Sequence, residues 1–316
     1  MRIRGMISRL KDVLWREQKM IVRRYLNGQG DCEPKRMVFM ADGSMPHGGM
    51  FDRLKGAISV YAASQVLSRE FKIHFVSPFR LEKYLEPNGY DWMIDDVCRK
   101  WPKSRPVIMY GEFEEPSRLF KARCGETHFF YGYNSLEYIN QRYGTQYDWG
   151  AIYNELFRPT PLLRRHIDDC KSAIGENYVA IHLRFLNLLG DGNEFACDPT
   201  LPVDAQEVLK AQALAEIKKI MQNHPGCQFL LATDSTIFSG YVAEQLPEIK
   251  FIPGEIKHIG TTDSTSDGAV IKMFLDYYMI AESVCVYNIV GPGMWPSAFP
   301  EYAAKIGRIP FKRVRF

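Results

Sequence analysis

The chain has 316 residues, 46% apolar and 24% charged, with Lys+Arg 40 against Asp+Glu 37. That is room for two compact domains, and it excludes low complexity and wholesale disorder. Residues 1–24 hold eight Lys/Arg and two Asp/Glu, a net +6, which leaves 32 basic against 35 acidic residues elsewhere. A near-neutral body speaks against nucleic acid, whose binders spread positive charge over the folded surface.

Residues 3–25 read as an amphipathic helix. Ile3, Ile7, Leu10, Leu14 and Ile21 recur at helical spacing, and Arg2, Arg9, Arg16 and Arg23 recur every seventh residue on another face. Asn27-Gly28-Gln29-Gly30 stops it. Two fates are open to this helix. It can lie on an anionic membrane surface, or it can dock on the body and bury its apolar face.

Apolar runs and helical stretches then alternate. Strands are expected at 36–40, 71–76, 107–110 and 127–131, with helices at 51–67, 134–143 and 159–174. Further strands are expected at 178–183, 228–233, 250–252 and 284–289, and helices at 204–222, 237–245, 266–281 and 296–306. This alternation predicts right-handed βαβ units and parallel sheets. The expected division is a segment 1–30, a domain 31–160 and a domain 161–316. The most apolar stretch, Val270 to Val290, carries Lys272, Asp276 and Glu282 and is no membrane span.

Seven scattered cysteines without a CxxC pair predict reduced thiols, with no disulfide framework and no structural zinc. The N-terminus lacks the apolar core of a secretory signal. A cytoplasmic protein is expected, attached to the inner membrane face if residues 3–25 bind lipid.

In such sheets ligands bind beyond the carboxyl ends of strands. Four segments fall there. The first contains Gly48-Gly49 before a helix, where backbone N–H groups can face an anion. A tight strand-to-helix turn explains it equally well. It is neither a dinucleotide fingerprint nor a P-loop, which disfavours NAD chemistry and ATP hydrolysis. The second is His182-Leu183-Arg184, whose polar side chains leave a strand end on one face. Arg184 can offer a planar fork to a diphosphate, or pair with an acid of its own chain. The third is Ala232-Thr233-Asp234-Ser235, where Asp234 can cap a helix or bind a ligand. In the fourth, Asp276 lies among apolar neighbours and needs a partner if buried, and the run Gly291 to Ser297 leads into the last helix.

In this order the four segments resemble the GT-B GDP-fucose-dependent fucosyltransferases, the set spanning NodZ-type, α1,6-, α1,2- and protein O-fucosyltransferases. The resemblance is strongest over residues 177–307 and extends to 37–76. It implies an α/β GT-B fold: two Rossmann-like domains facing a cleft, with the N-terminal amphipathic helix added. It implies Arg184 as the catalytic residue that stabilises the departing GDP. It implies His182 near the guanine, Asp276 on the guanine edge, Asp234 and Ser235 near the nucleotide, and Ser297 on phosphate. Gly48, Gly49 and Arg53 would line the donor–acceptor side. Where relatives carry a second Arg or an Asp, this sequence has Phe185 and Asn187, so Asn187 would touch substrate without acting as a base.

The reading is an inverting glycosyltransferase that moves fucose from GDP-fucose to a glycan acceptor, either a bacterial surface polysaccharide or a lipid-linked oligosaccharide. No cofactor is expected. The sequence has no D-x-D clamp, so no metal is expected and Arg184 with helix N-termini must carry the leaving charge. Asp42, Asp52, Glu112 and Glu114 are the first-domain candidates for the base. The alternatives are a transferase for another nucleotide sugar and a catalytically silent nucleotide- or glycan-binding protein.

Overall fold

The computed structural model describes residues 18–28, 32–33, 35–45, 47–109, 116–122, 125–130, 134–192, 199–254 and 266–316. The chain forms two compact units that divide between Arg158 and Pro159. Each is built on a four-stranded parallel sheet. Among the described residues no helix is long and apolar enough to cross a membrane.

The first unit begins with helix α1 (residues 18–26). Then come β1 (Arg36–Ala41), α2 (Met50–Val66), β2 (Glu70–Phe75), β3 (Leu85–Pro87), β4 (Ser104–Ile108), β5 (Glu126–Phe130), α3 (Leu136–Tyr143), α4 (Trp149–Leu156) and β6 (Phe157–Pro159). The sheet order is β2-β1-β5-β4, and β3 pairs with β6 in a small ladder. Because side chains alternate across a strand, the sheet has two distinct faces. Met37, Phe39 and Ala41 face one side, and Val38 and Met40 face the other. On that other side Val38, Met40, Met45 and Phe130 pack with Ile21 and Tyr25 of α1. Both helix residues are only 1% exposed. Backbone bonding completes the dock: Trp101 N–H donates to the Tyr25 carbonyl at 2.9 Å. The described part of the N-terminal segment is therefore part of the first unit's core and not a separate domain. Residues 3–17 lie outside the described residues.

One expectation is corrected here. Cys32 and Cys98 form a disulfide, with Cα atoms 5.2 Å apart. It ties the segment after α1 to the loop before β4. A 66-residue separation hid the pair from spacing arguments. Cys170 and Cys227 are half-buried free thiols and Cys285 is a buried one.

The second unit holds α5 (Pro161–Ile174), β7 (Tyr178–Leu183), α6 (Val203–Gln222), β8 (Gln228–Thr233), α7 (Thr236–Gln245), α8 (Asp267–Ala281), β9 (Cys285–Val290), α9 (Phe299–Gly307) and β10 (Phe311–Arg315). The sheet order is β10-β9-β7-β8. Strands β7 and β9 are buried throughout, as expected for parallel strands covered on both faces. Helix starts follow local chemistry. Thr160, Ser235 and Ser266 cap α5, α7 and α8 by accepting a backbone N–H. The expected strand at 250–252 is reduced to one bridge between Leu230 and Lys250.

Candidate nucleotide site

At the carboxyl edge of the second sheet, His182 and Leu183 end β7 and Arg184 follows. His182 is 8% exposed, its ring tilted against Phe299 with centroids 5.6 Å apart. Burial, aided by the charge of Arg184, pushes its imidazole down to about 3, so it is neutral. Arg313 Nε donates to Asn288 Oδ1 at 3.1 Å, which turns the Asn288 Nδ2 toward His182 Nδ1 at 3.4 Å. With Nδ1 accepting, the proton sits on Nε2 and makes it a donor. Sequence reading missed Asn288, because nothing marks it in Cys285–Val290 except a lone amide in a buried strand.

Arg184 is half-buried. Its carbonyl accepts the Trp295 N–H at 3.1 Å, joining the β7 end to the loop after β9. The residues after it turn sharply, with Leu186 at φ 56°. Asp234 holds this turn: one oxygen accepts the Phe185 N–H at 2.8 Å and the other the Leu186 N–H at 2.9 Å. Asp234 thus serves the loop that carries Arg184. The helix cap is Ser235, fully buried, whose Oγ accepts the Phe238 N–H at 3.0 Å. Asn187 Nδ2 donates to Thr200 Oγ1 at 3.0 Å. Ser297 is 1% exposed and its Oγ accepts the Phe299 N–H at 3.2 Å. Together with Pro300, which has no N–H, it occupies part of the α9 N-terminus.

Asp276 precedes Tyr277, whose ring packs on Phe299, the same ring that His182 touches. Tyr178, the first residue of β7, donates its hydroxyl to the Met279 carbonyl at 2.6 Å, so the Met279 turn lies beside the strand's amino end. Asp276 is one turn earlier. Its carboxylate is bound by Lys272 Nζ and lies near Cys170 of α5. Burial raises its carboxyl, against the pull of Lys272.

In the first unit, Gly49 caps α2 through its carbonyl, which accepts the Asp52 and Arg53 N–H groups. Arg53 is 2% exposed. It donates to the carbonyls of Gly48 at 3.2 Å and Ser77 at 3.0 Å, and its guanidinium lies over Phe75. It holds the glycine turn from beneath. His47, just before the glycines and unmarked by the sequence reading, is 4% exposed and pushed down to about 3 by burial and by Arg53. Asp42 accepts the Ser44 N–H and a bond from Arg99, each at 2.9 Å. Burial raises its carboxyl, and these two partners outweigh that and hold it below the usual range. Such an acid makes a weak base. Asp52 pairs with Lys55 at 3.0 Å, and Glu112 and Glu114 lie outside the described residues. Among the described residues no three His, Cys, Asp or Glu gather as a metal site.

The fold is similar to that of solved fucosyltransferases. NodZ α1,6-fucosyltransferase soaked with GDP-fucose is 14% identical, with a TM-score of 0.54, over 87% of this chain and 93% of that one. NodZ from Bradyrhizobium matches equally well, 14% identical at TM-score 0.54 over 86% and 92%. A variant of Arabidopsis thaliana FUT1 in complex with GDP is 10% identical, with a TM-score of 0.57, over 94% of this chain and 74% of that one. No protein-family model and no curated protein sequence matches. The α/β architecture with two Rossmann-like sheets is the fold of these GT-B fucosyltransferases, as the sequence resemblance implies.

Proposed function

We propose that the chain is an inverting glycosyltransferase that moves fucose from GDP-fucose to a glycan acceptor. The second unit would hold the donor and the first would serve the acceptor. The observation that carries this is Arg184, placed at the carboxyl end of a central strand in a fold shared along most of its length with fucosyltransferases solved with GDP or GDP-fucose. Arg184 would stabilise the charge that develops on the diphosphate as the glycosidic bond breaks. Neutral His182 would donate from Nε2 to the bound nucleotide. The acceptor hydroxyl would attack from the opposite face of the sugar. No metal is invoked, since the sequence lacks D-x-D, and chelator should leave transfer unchanged.

A thermal-shift panel of GDP-fucose, GDP-mannose, UDP-GlcNAc and NADH tests the donor. GDP-fucose should raise the melting temperature most. A response to UDP-GlcNAc or NADH alone overturns the reading, and GDP binding without transfer to any glycan identifies the silent binder.

We further infer peripheral contact with an anionic membrane. With Ile21 and Tyr25 buried, α1 turns Met20, Val22 and Leu26 outward beside exposed Lys19 and Arg23, and Trp101 is 49% exposed near its end. Apolar and basic side chains on one outer arc suit an interfacial helix. Co-sedimentation with anionic but not neutral vesicles is expected. As to compartment, the Cys32–Cys98 bond favours an oxidising one over the cytoplasm. Alkylation during lysis followed by mass measurement decides it, since free thiols at both positions would restore the cytoplasmic reading.

A further inference from the structure

The loop 184–192 is held at two places. Asp234 grips its start. Its end is gripped by Asp191, whose Oδ2 accepts from Ser235 Oγ at 2.9 Å, Thr236 Oγ1 at 3.1 Å and the Ile237 N–H at 2.9 Å. The carboxylate of Asp191 thus sits on the N-terminus of α7, where the helix dipole and free N–H groups favour an anion. Between the two grips the chain folds tightly on itself. Leu188 N–H donates to the Phe185 carbonyl and Gly190 N–H to the Asn187 carbonyl. Gly192 passes so close to Leu186 that a Cβ would lie 2.2 Å from its carbonyl oxygen. Phe185 is buried against Phe238 of α7, ring centroids 4.6 Å apart.

These contacts give the loop one shape, and Arg184 is its first residue. We propose that Asp191 is a positioning residue: by fastening loop 184–192 to the start of α7, it orients Arg184 toward a nucleoside diphosphate. The inference rests on the nucleotide reading of Arg184 proposed above. Asp191 already fills the α7 N-terminus, so on this account the helix steers the loop and is not itself a phosphate site. A long flexible side chain such as Arg loses less freedom on binding when its backbone is already fixed.

The test is a double-mutant cycle on GDP affinity, measured by calorimetry beside melting curves. Arg184→Ala should weaken GDP at least tenfold. Asp191→Ala should weaken it severalfold or more, and the double variant should bind no worse than Arg184→Ala alone. Asp191→Asn keeps one acceptor oxygen and should fall between wild type and Asp191→Ala, and it carries the cycle if the Ala variant does not fold. A lowered melting temperature with unchanged GDP affinity, or losses that multiply in the double variant, overturns the positioning role and leaves the nucleotide reading standing. Wild type that binds no GDP, or Arg184→Ala that binds as wild type, overturns both.

Discussion

Lys272 binds both carboxylate oxygens of Asp276, at 2.6 and 2.5 Å, from one turn earlier on the same helix. The lysine is buried, with Gly254 against its methylenes. This carboxylate therefore already has a buried cation to neutralise, a pairing that the four-residue spacing of Lys272 and Asp276 on a helix allows. Asp276→Asn should strand that ammonium and destabilise the second unit by on the order of 2 kcal/mol, less than a fully buried pair because Asp276 keeps 18% exposure. GDP affinity should not change. A tenfold loss of GDP affinity at an unchanged melting temperature would instead place Asp276 on the guanine.

Arg184 is the residue on which the proposed chemistry turns. Arg184→Ala should abolish transfer and leave the melting temperature near wild type, because its half-buried side chain is not core. GDP binding should weaken by about 2 to 5 kcal/mol if the contact is desolvated. Arg184→Lys should fail as well, since an ammonium cannot reproduce the planar fork. Full activity in the Lys variant would remove the two-point contact.

The strands were legible because Tyr178–Leu183, Gln228–Thr233 and Arg36–Ala41 are short apolar runs bounded by turn residues, and their alternation with helices implies parallel sheets. β10 was not legible: Phe311-Lys-Arg-Val-Arg315 is a mostly charged edge strand with no apolar run to mark it. α4 is only eight residues long, and sequence reading missed its signals, Gly144 ending α3 in the left-handed region and Asp148 capping the next helix. The candidate site was half legible. His182 and Arg184 announce themselves at a strand end, but hydrogen bonds between distant segments decide that Asp234 and Asp191 serve a loop and that Arg53 serves a turn. The same holds for Ile21, whose periodicity suited a membrane and a core equally.

Acid should act unevenly on the two units. Burial holds His47 and His182 near 3, and it lowers His74 and His128 below their ordinary value. Arg99 adds to the effect at His74, and Glu126 opposes it at His128. These histidines are neutral when folded and take up protons near pH 6.5 when unfolded. Their contribution is complete above pH 6.5 and is lost progressively as pH falls toward the lowered folded values, by up to about 1.4 kcal/mol per pH unit for each fully buried ring. Three of the four lie in the first unit. Hydrogen exchange between pH 7 and 4.5 should show the first unit opening before the second. Equal loss of protection would mean that these rings are protonated in the folded state.

A chain beginning near Asp31 loses Ile21 and Tyr25 and uncovers Val38, Met40, Met45 and Phe130 on the outer face of the first sheet. It also removes the Tyr25 hydroxyl from a buried chain that runs through His128 Nδ1, and from His128 Nε2 to Glu126 at 2.6 Å. Burying each large apolar side chain is worth about 1.5 to 3 kcal/mol, so the truncation should cost several kcal/mol and leave the first unit prone to aggregate. Tyr25→Phe separates the two contributions. It keeps the packing and loses one buried hydrogen bond, which should lower stability by about 1 kcal/mol and leave the protein soluble. A truncated chain that melts with wild type would show that α1 is dispensable to the core. In that case its apolar residues would be left for the membrane alone, and vesicle binding should then disappear with the truncation while the fold persists.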